Sequence, residues 1–197
     1  MFRTLVRLAF VAALSLASST GATADTYPRQ PGVDARHYVF KLTLLAGPAS
    51  GIEAEATGTF RLVADGVREV ALDLATPTAD GKGMTVKSVT SSGQAVTFTH
   101  RANRLLLPVP AGTRAGQEVT FTVAYSGVPA GLIFVNNIHG ERTAFSENWH
   151  NRARQWLPVI DHPADKATGE WIVTTGAEYQ VVGNGALFEE VDVPPAG

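Results

Sequence analysis

The chain contains no cysteine. That absence removes disulfides, thiolate metal ligands and cysteine nucleophiles together. Positive charge is not in surplus either: 16 Lys and Arg stand against 18 Asp and Glu, which leaves no electrostatic footprint for nucleic acid. Charged residues make up only 17% and hydrophobic ones 45%, so a disordered, solvating chain is excluded. The short catalytic signatures are missing too. None of His37, His100, His139, His150 and His162 stands in the H-E-x-x-H pattern of a zinc peptidase. There is no G-x-S-x-G elbow, no phosphate-cradling G-x-x-x-x-G-K-[ST] and no Asn-x-Ser/Thr sequon. Helical periodicity is scarce outside the N-terminal segment.

What is present begins with Arg3 and Arg7, followed by a nearly unbroken apolar run over residues 8–16. Ala22-Thr23-Ala24 then places small residues at the two positions a signal peptidase reads. The run is too short to span ~30 Å of hydrocarbon. Without a cysteine at the cleavage site a lipid anchor is excluded. Residues 1–24 therefore read as a cleavable signal helix. The mature chain would start at Asp25, mildly acidic, exported to the periplasm or secreted, and without a membrane anchor.

Residues 27–33 are rich in Pro, Arg, Gln and Gly and read as an extended lead-in. Alternation of period two follows. Tyr38, Phe40, Leu42 and Leu44 share one face of a strand over 37–44, with Lys41 and Thr43 opposite. Further strands are expected at 52–62, 67–74, 84–89, 95–99, 105–109 and 117–126. Ser91-Ser92-Gly93 and Arg101-Ala102-Asn103 are expected turns. From Gly131 to Pro163 alternation weakens and Asn, His, Arg and Trp increase. Strands return at 170–174 and 179–182, the latter followed by Asn184-Gly185 as a tight hairpin turn. The expected fold is all-β, an antiparallel sandwich or saddle.

Chemistry-bearing residues concentrate in one stretch: His139, Glu141, Glu147, His150, Asp161 and His162. His139 and Glu141 are spaced to share a strand face, as a metal pair would be. The plainer reading makes the group hydrogen-bonding residues of a long folded loop. A metal site built on His139, His150 and His162 is the least favoured alternative. Trp149, Trp156 and Trp171 occupy the same third of the chain. Core packing is the favoured role for the last two, while Trp149, flanked by Asn148 and His150, is equally suited to an exposed binding shelf.

Within that stretch stand Ala153, Arg154, Pro158, Asp161, Pro163, Lys166, Ala167 and Thr168, with Asn184, Gly185 and Leu187 following. Their spacing resembles the signature A-R-x-x-x-P-x-x-D-x-P-x-x-K-A-T and the later N-G-x-L of the N-terminal β domain of peptidase family M1, the aminopeptidase N and leukotriene hydrolase group. The strands from Arg36 to Ser126 are similar to that family's opening β-saddle. A bacterial pattern, N-W-x-x-R-A-R-x-W-L-P, is matched from Asn148 to Pro158.

The resemblance implies an N-terminal substrate-side domain over 25–197, with its closing strands and the zinc-bearing catalytic domain expected beyond Gly197. It implies zinc and a peptide substrate for the intact enzyme only. This chain is expected to hold no zinc, to carry no catalytic residue and to be inactive alone. Family members bind the substrate's amino group with a Glu or Gln five residues before the motif Arg. Here that position is Trp149, so Glu147 and Asn148 become the candidate acceptors beside it. Arg154, Pro158, Asp161, Pro163 and Lys166 are expected to brace the loop. The two prolines would bracket a turn, Asp161 would satisfy loop N–H groups or pair with Arg154, and Lys166 would neutralise Asp161 or Asp165. The residues also fit a second reading, a free-standing non-catalytic periplasmic binding module with the same fold.

Overall fold

Residues 27, 29–45, 51–138 and 141–193 are described in the structure, a computed structural model, with the backbone alone at 135–138. The expected signal segment over 1–24 and the candidate ligand His139 lie outside the described residues. The strands are β1 (Val33–Leu44), β2 (Ile52–Leu62), β3 (Glu69–Asp73), β4 (Gly83–Ser91), β5 (Gln94–Ala95) and β6 (Thr99–Arg101). They continue as β7 (Arg104–Pro108), β8 (Glu118–Val128), β9 (Leu132–Ile138), β10 (Glu141–Ser146) and β11 (Thr168–Thr174). A 3-10 turn at Ala153–Gln155 is the only helical element among the described residues.

Three sheets result: a large one in the order β11-β1-β2-β8-β4-β5, a small one in the order β3-β7-β6, and the β9–β10 hairpin. The alternation that marks β1 in the sequence changes parity part-way. Val33 and Ala35 are buried, then Tyr38, Phe40 and Leu42. A bulge between Ala35 and His37 inserts the extra residue that keeps both sets on one side. A second bulge, between Val86 and Ser88, lets Met84 and Val89 face the same core. On the solvent face, strands are tied by Thr57–Thr122 (2.9 Å), Lys41–Glu55 (2.9 Å) and Lys87–Glu53 (3.1 Å).

The large and small sheets bury their inner faces in a single cluster. Phe60, Phe121, Ile52 and Tyr125 come from one, Val70, Leu72, Leu105 and Leu107 from the other. Trp156, Leu157, Val159 and Ile160 complete it from the segment before β11. The two expected turns are present as two-residue hairpins with positive φ at both central positions, Ser92 and Gly93, then Ala102 and Asn103.

Four features depart from the sequence expectation. The strand expected over 95–99 is absent: Gln94–Ala95 ends in the large sheet and Thr99–Arg101 begins in the small one, so the chain changes sheets between them. The β9–β10 hairpin occupies a region where alternation is weak, because Leu132, Ile133 and Phe134 are apolar in succession. β11 runs parallel to β1, pairing from His37–Thr168 to Thr43–Thr174, so the large sheet is not purely antiparallel. No strand forms at 179–182 and no ladder flanks Asn184-Gly185. A strand needs a partner for its backbone groups, and among the described residues none lies beside that segment.

Candidate functional site

The segment from Glu147 to Thr168 crosses from the β9–β10 hairpin to β11 and divides into an exposed outer part and a buried inner part. At the outer part Glu147 accepts a hydrogen bond from Arg152 (2.8 Å), and both side chains are about half exposed. Asn148 Oδ1 accepts the Trp156 indole N–H at 3.0 Å. Trp149 is 77% exposed and meets the His150 ring edge-on. The three candidate substrate-lining residues thus sit together in sequence and on the surface. The acceptor of Asn148 is already engaged by Trp156, and that of Glu147 by Arg152.

The inner part is organised by Arg154 and Asp161. Arg154 Nε donates to Asp161 Oδ2 at 2.8 Å, its backbone N–H to the same oxygen at 3.2 Å, and its Nη2 to the Asp161 carbonyl at 2.8 Å. A planar guanidinium is suited to such forked donation, where an ammonium is not. Arg154 Nε also reaches the Asn151 carbonyl at 3.0 Å. Pro158 is buried beside Trp156 and Leu157, while Pro163 stands exposed in the turn that follows. Lys166 is exposed and makes an ion pair with neither Asp161 nor Asp165. This corrects the expected role of Lys166: the forked Arg154 neutralises Asp161, and Asp165 accepts the Ala35 N–H at the β1 bulge (3.2 Å).

Beneath this pair lies a residue that motif reasoning missed. Asp73, at the end of β3, is 1% exposed. Its carboxylate accepts from Arg104 (2.5 Å), from the Tyr27 hydroxyl (2.6 Å) and from the Asp161 N–H (3.0 Å). Arg154 Nη1 approaches it at 3.9 Å. Two carboxylates and two guanidiniums balance in a site that opens to water chiefly at Arg104, and such pairing is how buried charges are tolerated. The backbone of Asp73 forms a β-bridge with Val159, its N–H donating at 2.7 Å and its carbonyl accepting at 3.2 Å. The Tyr38 hydroxyl accepts the Ile160 N–H at 3.1 Å, and burial pushes that hydroxyl's pKa up. The available sequence signal for Asp73 is a lone carboxylate inside the apolar run from Val70 to Leu74.

Aromatic rings seal one side. Trp156 is 4% exposed and stacks on Trp171, with centroids 5.8 Å apart. Trp171 also packs on Phe40 at 4.8 Å, yet 39% of its surface remains open because β11 is a sheet edge. His162 is buried, and its Nδ1 accepts the Ala164 N–H at 3.0 Å.

Among the described residues no three His, Asp or Glu side chains converge to hold a metal ion. The donor set for the zinc implied by resemblance is therefore not offered by these residues. Two shallow depressions, about 290 and 260 Å³, are lined by Asp65, Gly66 and Arg114, and by Ser91, Gln117 and Thr120. Neither shares a residue with the Glu147–Thr168 segment. Among the described residues no helix is long and apolar enough to cross a membrane. The inner segment is built to be held still.

Comparison with known proteins identifies this architecture. The chain belongs to the family described as the peptidase M1 N-terminal domain, whose model matches residues 35–194. An M1 zinc metallopeptidase from Deinococcus radiodurans superposes with a TM-score of 0.61 at 27% identity, over 75% of this chain and 33% of that one. A mutant from the same organism, bound to the substrate Tyr-Ser-Ala, gives a TM-score of 0.69 at 24% identity over 82% and 36%. Leukotriene A4 hydrolase from Saccharomyces cerevisiae shares the fold, with a TM-score of 0.59 at 18% identity over 73% and 23%. The chain thus spans about a third of the Deinococcus proteins and about a quarter of the yeast enzyme. No curated protein sequence matches it.

Proposed function

We propose that this chain serves as the N-terminal, substrate-side domain of an exported M1-type zinc aminopeptidase, an enzyme that removes N-terminal residues from peptides. The observation that carries the reading is the family match across residues 35–194. The two sheets packed over one core support describing the domain as that family's sandwich or saddle. In this reading Arg154, Pro158, Asp161 and Pro163 keep the loop in place, and Glu147, Asn148 and Trp149 form the part that faces substrate. An incoming peptide ammonium would compete with Arg152 for Glu147. The zinc and its H-E-x-x-H motif would come from polypeptide other than these residues, and the chain alone would be inactive.

The test is hydrolysis of an aminoacyl anilide. The natural gene product carrying this domain should release the anilide, stop when a zinc chelator is added, and spare the N-acetylated analogue. The 197-residue chain with added zinc should do nothing. Zinc-dependent turnover by that chain alone, or a natural product with no chelator-sensitive activity, overturns the reading.

A further inference from the structure

We propose that Tyr27 and Gln30, in the lead-in before β1, are positioning residues that strap the Arg154–Asp161 loop against the edge of β3. The inference concerns the order of the loop and stands whether or not the loop faces a substrate.

β3 is an outer strand of its sheet, so its backbone groups on one side have no strand partner there. Alternate N–H groups of a strand point the same way. At Ala71, Asp73 and Ala75 the outward N–H groups are all satisfied, by two different pieces of chain. Ala71 N–H donates to Gln30 Oε1 at 2.9 Å, and Gln30 Nε2 returns a bond to the Ala71 carbonyl. The Gln30 amide thus replaces a paired strand residue. Asp73 N–H donates to the Val159 carbonyl at 2.7 Å and Ala75 N–H to the Arg154 carbonyl at 2.8 Å. The lead-in and the loop therefore share one continuous edge.

Tyr27 joins them directly. Its hydroxyl donates to Asp73, and the Arg154 guanidinium lies 3.7 Å from the centre of its ring. Asp73 and Arg154 are the two side chains that hold Asp161, by its backbone and by its carboxylate. One aromatic residue thus touches both anchors of the loop, through a hydrogen bond and a cation–π contact. The lead-in is itself fastened at its other end, where Gly32 accepts the Val63 N–H at 3.0 Å. On the signal cleavage expected after Ala24, Tyr27 would be the third residue of the mature chain. Trimming a few residues further would release the strap.

Native-state trypsin digestion of the full chain reads this out, because Arg154 is largely buried within the loop and is cut only when it opens. Three variants are compared: Tyr27→Ala, Tyr27→Phe, and Val89→Ala, which weakens the core at β4. Tyr27→Ala should speed cutting after Arg154 by about tenfold beyond any variant of equal overall stability. Tyr27→Phe keeps the ring under Arg154 and should give a smaller rise. Should Val89→Ala, matched in stability by urea titration, open the loop as much as Tyr27→Ala, or should neither tyrosine variant change the cutting, the strap is overturned.

Discussion

Arg154 and Asp161 are seven residues apart and joined three times, twice through the Asp161 carboxylate and once through its carbonyl. Neither side chain is open to water beyond a small fraction, 14% for Arg154 and 9% for Asp161. The pair closes the loop on itself before the loop is tied to the rest of the fold. Removing one charge leaves the other buried with a weaker partner, which in comparable sites costs about 3–5 kcal/mol. Asp161→Asn should therefore lower the free energy of unfolding by about 3 kcal/mol. Arg154→Lys should lose nearly as much, because a lysine cannot reproduce the fork. Urea titration followed by tryptophan fluorescence measures both; a loss under about 1 kcal/mol, as at an exposed pair, would contradict the assignment.

Gly127 of β8 is paired with Met84 of β4. A Cβ there would stand 2.1 Å from the Gly83 carbonyl oxygen and 3.1 Å from the Met84 Cα. Both obstacles are backbone, so relief requires the strands to part. Gly127→Ala should destabilise the fold by about 1–3 kcal/mol, seen as a lower thermal midpoint. An unchanged midpoint would show that the strands are not so close.

The hydroxyl of Tyr125 is buried and has no hydrogen-bond partner among the described residues. Burial raises its pKa far above the usual tyrosine value, so it stays protonated and contributes only an unmet donor. Leaving such a group unpaired costs about 1–3 kcal/mol. Tyr125→Phe keeps the ring and removes the unmet group. Its unfolding free energy should rise by about 1 kcal/mol; a fall would mean the hydroxyl has found a partner in solution.

Asp165 carries a pH signature. Burial raises its pKa, the Ala35 N–H opposes that, and the nearby Asp34 charge adds to it. The folded state therefore holds the proton more tightly than the unfolded chain. Its contribution to stability is full below the unfolded value and is lost as pH rises through the folded one. Asp165→Asn keeps an oxygen for Ala35 and cannot ionise. As pH rises from below the ordinary carboxyl range to above it, the stability of the parent should fall relative to this variant, then hold level. A difference that does not change with pH would remove the effect.

Much of the large sheet is legible in the sequence because β1, β2 and β8 each have one buried face and one wetter face, so alternation survives. Phe60, Phe121 and Val123 can be placed from it alone. The β9–β10 hairpin cannot, since Leu132, Ile133 and Phe134 carry no period. The parallel partnership of β11 with β1 is also hidden, because strand order depends on where the intervening loop crosses. Of the site, Arg154 and Asp161 stand out by motif spacing, and their pairing follows from charge and reach. Lys166 misleads for the same reason: charge and proximity in sequence suggest a partner that Arg154 has already taken. Asp73, Tyr27 and Arg104 come from remote segments, and only the fold brings them together. The hairpin expected at Asn184-Gly185 shows the converse, a turn signal whose flanking segment has no strand beside it among the described residues.

The proposed function requires a zinc site furnished by other polypeptide. The most direct measurement is the reading frame of the gene past codon 197, determined by sequencing. An in-frame stretch encoding H-E-x-x-H with a glutamate farther downstream is the predicted result. A stop codon in its place, with no partner gene encoding such a motif, would contradict the account and leave a domain of this family that serves no peptidase.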